Sequence, residues 1–159
     1  MSTTTTGIEK GQAIWFIDNL VEVKVSGEDT EGRCAVVDMR APKGHMPPLH
    51  IHHGEDETFI LLEGELTVYA GGETVRLAPG ETALGPKGVP HTFRVESETA
   101  RWLSACAPAG FDRFVAAVGS PAAERVLPTE IVMPDPDRFG EICREFEIEL
   151  VGPPGALPA

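Results

Sequence analysis

Lysine and arginine are scarce in this chain: 13 stand against 25 aspartates and glutamates, for a formal net charge of −12. Nucleic acid and anionic membrane surfaces demand clustered cations, so neither is expected as a partner. No apolar run approaches the ~20 residues of a membrane-spanning helix. Met1 to Gly7 lacks the basic-then-apolar pattern of an export signal. Cysteine is sparse as well. Cys34, Cys106 and Cys143 are odd in number, widely spaced and without zinc-site spacing, which points to reduced thiols in a cytoplasmic protein. There is no Ser-His-Asp set, no phosphate-cradling glycine loop and no context for a nucleophilic cysteine. Gly71, Gly72 and Gly80 read as turn glycines.

What is present fits one domain. At 159 residues, 42% hydrophobic and 24% charged, the chain can bury a single substantial core. Residues 1–10, opening on a run of threonines, are expected to be disordered. From about 13 to 107, short apolar or alternating runs are separated by turn residues, the pattern of a β-sandwich or barrel. Ala13 to Ile17, Leu20 to Val25, Cys34 to Arg40, Glu65 to Tyr69, Glu73 to Leu77 and Ala100 to Ala107 all read as strands. Trp15 and Met39 either line a ligand cavity or fill the core.

The most informative stretch is Gly44 to Gly64. His50 and His52 are two apart, so on a strand both imidazoles leave the same face. A polar break follows, His53-Gly54-Glu55-Asp56, and Glu57 opens the next run. Two strands joined by a short turn bring Glu57 back beside the two histidines, and a turn-rich approach from Gly80 delivers His91 as a fourth donor. Three imidazoles and a carboxylate on rigid strands suit a transition metal. His45 and His53 read as ordinary surface or core residues. Counting by twos from Glu57 and from His91 puts Phe59, Leu61, Val89 and Phe93 on the metal-facing side, with Met39 added to the same expected pocket. Such an apolar cup suits a planar or greasy ligand better than a phosphorylated sugar. Plain filling of a small barrel is compatible with the same pattern.

These residues carry a family resemblance. The spacing G-x5-H-x-H-x4-E-x6-G, met by Gly44, His50, His52, Glu57 and Gly64, resembles the first cupin motif. The spacing G-x5-P-x-G-x2-H, met by Gly80, Pro86, Gly88 and His91, resembles the second. The last position of that second motif is usually Asn and is Val95 here, a departure outside the ligand set. The resemblance implies a mainly β fold: a cupin (double-stranded β-helix, jelly-roll) barrel over 11–107, with a short C-terminal helical extension over 108–159. It also implies one divalent transition metal per chain (Fe, Mn, Ni, Co, Cu or Zn) and a homodimer.

Beyond Pro108 the pattern becomes helical. Phe111, Phe114, Val115 and Val118 make one stripe of a helix ending at Gly119. Ser120-Pro121 predicts a second short helix through Arg125, and Asp135-Pro136 a third carrying Phe139, Ile142, Cys143 and Phe146. Glu147 to Val151 reads as a final extended segment and 152–155 as a loose end. These helices can cover the barrel, form a dimer contact or close the mouth of the metal cavity. The order of Gly110 to Phe114, Gly119 to Ala122, Pro134 to Pro136 and Phe139 resembles the C-terminal part of bacterial quercetinase-like cupins. That likeness implies a dioxygenase acting on a flavonol-like small molecule, with His50, His52, Glu57 and His91 as ligands and Glu57 able to accept the substrate hydroxyl proton.

The donor set supports such chemistry by itself. It leaves a divalent metal one or two open positions for substrate or dioxygen, and the metal would polarise an enol or phenol oxygen as a Lewis acid. The same residues equally permit a non-redox metal cupin (isomerase, cyclase or lyase), or a small-ligand-binding cupin without turnover.

Overall fold

The computed structural model describes residues 9–159. The expected disordered start therefore lies, up to residue 8, outside the described residues. In order, the elements are β1 (Ala13–Phe16), β2 (Asn19–Val25), β3 (Ala35–Pro42), β4 (Pro48–His52), β5 (Asp56–Glu63), β6 (Leu66–Ala70) and β7 (Glu73–Leu77). These are followed by β8 (Thr82–Gly85), β9 (His91–Val95), β10 (Thr99–Ala107), α1 (Phe111–Val118), β11 (Ser120–Pro121), α2 (Pro136–Glu145) and β12 (Ile148–Pro154). No helix among them is long and apolar enough to cross a membrane.

The strands form two antiparallel sheets. One runs β11-β1-β2-β3-β10-β5-β8, the other β12-β4-β9-β6-β7. The fold is thus the expected mainly β, cupin-like jelly roll, but the sheets face each other as an open sandwich and do not close into a barrel. Alternation decides what lies between them. In β5, Glu57, Phe59 and Leu61 are buried while Thr58 and Ile60 are only half-buried, and in β10 Ala100, Trp102, Ser104 and Cys106 are buried in the same rhythm. Val21, Val37, Leu66, Val68, Leu77 and Val95 complete the packed interior.

The C-terminal third is woven into both sheets. The α1 stripe of Phe111, Phe114, Val115 and Val118 is buried as its spacing predicts. Asp135 caps α2 by accepting from Arg138 N at 3.0 Å, with Pro136 in the first turn.

Two expectations for this region change. The helix predicted from Ser120 to Arg125 is absent: Ser120 and Pro121 are the short strand β11, in register with Trp15 and Ile14 of β1. Ala122, Ala123, Glu124 and Arg125 offer no apolar stripe to bury, whereas the open edge of β1 offers backbone partners, including Ala13 O for Ala122 N at 2.9 Å. The final segment is also longer than read. β12 continues through Gly152 to Pro154 and pairs along the whole of β4, with Ile148 opposite His52 and Leu150 opposite His50. Trp15, left open between cavity and core, is half-buried and donates its indole N–H to Val126 O at 2.9 Å.

Candidate metal centre

The two sheets deliver the four predicted donors to one point. His50 and His52 come from β4, and His91 begins β9 directly opposite His50. Glu57 crosses from the facing sheet on β5. One donor atom from each lies within 4.8 Å of the others. The ring centroids of His50 and His91 are 4.5 Å apart, those of His50 and His52 5.0 Å, and those of His52 and His91 5.2 Å. Glu57 Oε1 stands 3.2 Å from His91 Nε2 and 3.5 Å from His52 Nε2. All four side chains are buried.

Each imidazole is fixed from behind. His50 Nδ1 lies 2.6 Å from Pro48 O, and His91 Nδ1 lies 3.2 Å from Val89 O. A carbonyl can only accept, so Nδ1 carries the proton in both rings and Nε2 keeps its lone pair. His52 Nδ1 is held by the buried carboxylate of Glu55 at 2.7 Å, while its buried Nε2 has no hydrogen-bond partner among the described residues. An orphaned, inward-facing nitrogen with an anchored opposite nitrogen is what a metal-ligating histidine looks like. The residues present therefore fit a divalent transition metal, with three Nε2 donors and one carboxylate oxygen.

The electrostatics agree. Burial, with the neighbouring His91 and His52, pushes the His50 pKa down to about 3, so the ring is neutral near pH 7. Burial alone would raise Glu57, but in the metal-free protein its contact with His91 Nε2 and the positive charge the neighbouring imidazoles carry when protonated prevail and hold it down at about 2. Burial likewise pulls His52 down, yet Glu55 and Glu57 outweigh it and leave it raised. Both thiols nearby are protonated and poor ligands. Burial pushes Cys143 up to about 11, and burial beside Glu57 and Glu55 raises Cys106 well above its ordinary value.

A close approach explains one glycine here. Gly85 sits opposite Glu57 in the β5–β8 pairing, and a Cβ placed on it would stand 3.1 Å from His91 ring atoms.

The centre forms part of the wall of a cavity. Of the five residues expected to line a pocket, Met39 and Phe93 do so. Phe59 and Leu61 point to the expected side of β5 but are fully buried in the packed interior, Phe59 lying behind His91 with ring centroids 6.1 Å apart. Val89 is half-buried near Gly71, outside the lining. Strand parity gives the face a side chain takes, whereas depth along the sandwich comes from how the sheets stagger. The cavity wall is completed instead by Phe111 and Phe114 of α1, Phe139 and Cys143 of α2, and Ile148 and Leu150 of β12. Of the roles left open for the helices, covering the sheets is displayed by the α1 stripe, which packs into the core, and both helices also line this cavity.

Sequence reasoning also passed over Glu55, read only as part of a polar break, although an acid three residues after a ligand histidine is a usable signal for an anchoring partner. It read His45 as filler. His45 lines the cavity, with Nδ1 2.6 Å from Asp18 Oδ1. Against the opposing effect of burial, the proximity of His45 holds the Asp18 carboxyl below its ordinary pKa.

Comparison with known proteins places this arrangement. The sequence profile described as "Cupin domain" matches residues 37–106, which hold all four donors. The chain is 29% identical over 138 residues to quercetin 2,3-dioxygenase of Bacillus subtilis (strain 168), an alignment covering 87% of this chain and 40% of that one. It spans less than half the length of that relative and of the other curated proteins it matches. Among solved structures it resembles a predicted oxalate decarboxylase from Thermotoga maritima, with a TM-score of 0.55 and 18% identity over 67% of this chain and 99% of that one. It likewise resembles KdgF from Halomonas sp., with a TM-score of 0.54 and 18% identity over 60% of this chain and 85% of that one. Likeness at that identity speaks for the fold alone. With both motifs, the two-sheet architecture and the matched profile in agreement, residues 37–106 of this chain form a cupin domain.

Proposed function

We propose that this protein is a metal-dependent dioxygenase that cleaves or oxidises a planar, flavonol-like aromatic. One observation carries the reading: three of the four clustered donors, His50, His52 and Glu57, line a cavity whose other lining is dominated by Met39, Phe93, Phe111, Phe114, Phe139 and Ile148. Among the described residues no lysine or arginine lines it, so these offer nothing to neutralise a phosphate. The likeness to quercetin 2,3-dioxygenase over most of this chain supports the same substrate class.

In this reading Nε2 of His50, His52 and His91 and the carboxylate of Glu57 hold the metal, for which the donor set accepts Fe, Mn, Co, Ni, Cu or Zn. When bound, the metal supplies Lewis acidity towards a substrate oxygen and, if redox-capable, a route for electrons to dioxygen. The chain's own residues do the rest. Phe93, Phe111, Phe114 and Phe139 bind a flat ring system and exclude water. Glu57, ionised at neutral pH, accepts the proton of an acidic substrate hydroxyl at a carboxylate oxygen. Pro48 O, Val89 O and Glu55 keep the imidazoles oriented while that proton moves. A homodimer in the reducing cytoplasm completes the proposal.

The test is elemental analysis of the purified protein, with His50→Ala as control, followed by an oxygen-electrode run with a flavonol. About one redox-capable metal per chain, lost in the variant, with substrate-dependent oxygen uptake is the expected result. Metal held through His50 without uptake across flavonols and catechols would assign the site to an isomerase, cyclase or lyase. No metal after reconstitution would leave a ligand-binding cupin without turnover.

A further inference from the structure

The β1–β2 hairpin turns through only Ile17 and Asp18, and it is held in an unusual way. Ile17 has φ 56°, a left-handed conformation that a β-branched residue adopts at a cost. Its backbone is clamped on both sides: Ile17 N donates to Val132 O at 2.7 Å and Val132 N donates to Ile17 O at 2.8 Å. The clamped tip places Phe16, Ile17 and Asn19 in the wall of the metal-centre cavity.

Asn19 is 1% exposed, yet neither Nδ2 nor Oδ1 has a hydrogen-bond partner among the described residues. Buried amides are ordinarily satisfied, so a free donor and a free acceptor in the wall of a cavity call for a partner. Asn19 is not a fifth metal ligand. Through Cys106, Glu57 is level with Ala35 of β3, whereas Leu20, next to Asn19, pairs with Arg40 further along that strand. The lining thus carries polarity at two separate places, the metal centre and Asn19, with His45 also in the wall and its ring 5.6 Å from that of Phe93.

We infer that Asn19 is a specificity-determining residue, whose side-chain amide receives a hydroxyl group on the part of the substrate remote from the metal centre. A hydroxyl both donates and accepts, which matches the two free amide atoms. A substrate lacking that group would leave the amide buried and unpaired, and would be rejected for that reason. The inference rests on the reading of this cavity as the substrate site.

The experiment is an anaerobic calorimetric titration of the purified, metal-containing protein and its Asn19→Leu variant with two probes. These are quercetin and 3-hydroxyflavone, which shares the skeleton and the 3-hydroxyl but lacks the remaining ring hydroxyls. The wild type should bind quercetin at least about tenfold more tightly than 3-hydroxyflavone, and Asn19→Leu should erase or reverse that preference. Its melting temperature should hold or rise, since an unpaired amide has been removed. Should Asn19→Leu fail to fold, Asn19→Ala is read by the same ratio. An unchanged ratio, or a wild type that binds neither probe, would overturn the assignment. Binding without turnover separates this inference from the proposed reaction. A shifted ratio with no oxygen uptake in air keeps the subsite and removes the dioxygenase. Oxygen uptake with an unchanged ratio does the reverse.

Discussion

Glu55 Oε1 accepts a hydrogen bond from His52 Nδ1 at 2.7 Å, with both side chains buried. The carboxylate fixes the ring so that Nε2 faces His91 and Glu57. Replacing Glu55 by Gln keeps the shape and an acceptor but removes the charge that favours a strongly donating imidazole. Metal affinity should fall about 10- to 100-fold, read by chelator competition. Unchanged affinity would reduce Glu55 to a space-filling role.

The approach of Gly85 to His91 gives a second expectation. A methyl group there would stand 3.1 Å from the imidazole, so the ring must shift by a few tenths of an ångström. Gly85→Ala should lower metal affinity by about tenfold while leaving the denaturation midpoint of the metal-free protein nearly unchanged, because donor geometry tolerates little displacement. Affinity equal to wild type would show that the ring has room to yield.

Acid should destabilise the metal-free protein, and the sign follows from proton counting. His50 has a folded pKa of about 3 against an ordinary 6.5, so between those values the unfolded chain takes the proton and stability falls with pH. Glu57, at about 2 against 4.5, acts the same way: its contribution is present above 4.5 and lost as pH falls towards 2. His52 is raised and works in the opposite sense, contributing below 6.5 and losing that contribution as pH rises through its folded value. Melting temperature measured from pH 7 down to 4 should fall, and His50→Leu should flatten the decline. An equally steep decline in that variant would remove His50 as a cause.

Gly64, the last position of the first motif, has φ 86°, and a Cβ there would stand 2.4 Å from Thr99 O. Left-handed strain of about 1–2 kcal/mol adds to overpacking of about 1–3 kcal/mol. Gly64→Ala should therefore lose about 2–5 kcal/mol of stability in a urea titration. A loss below about 0.5 kcal/mol, ordinary for an exposed substitution, would contradict this account.

Much of the centre was legible because its information is local. His50 and His52 share a face by the period of a strand, Glu57 follows across one turn, and His91 closes a second spaced block. The pocket was less legible. Parity gave Phe59 and Leu61 their correct face, but both are part of the packed interior and outside the cavity lining, much of which comes from elements distant in sequence.

The sequence by itself determined the cupin strand pattern, the four donors, the α1 stripe and the Asp135 cap, since each depends on spacing along one or two neighbouring elements. Only the tertiary structure decided three other things. Ser120-Pro121 became an edge strand because β1 offered backbone partners that a short, apolar-poor helix lacked. The end of the chain became β12, alongside the ligand strand β4. And Asn19, which in sequence is an ordinary residue after a turn, became a buried, unpartnered amide facing the metal cavity. Each depends on how distant segments are brought together, and no local periodicity encodes that.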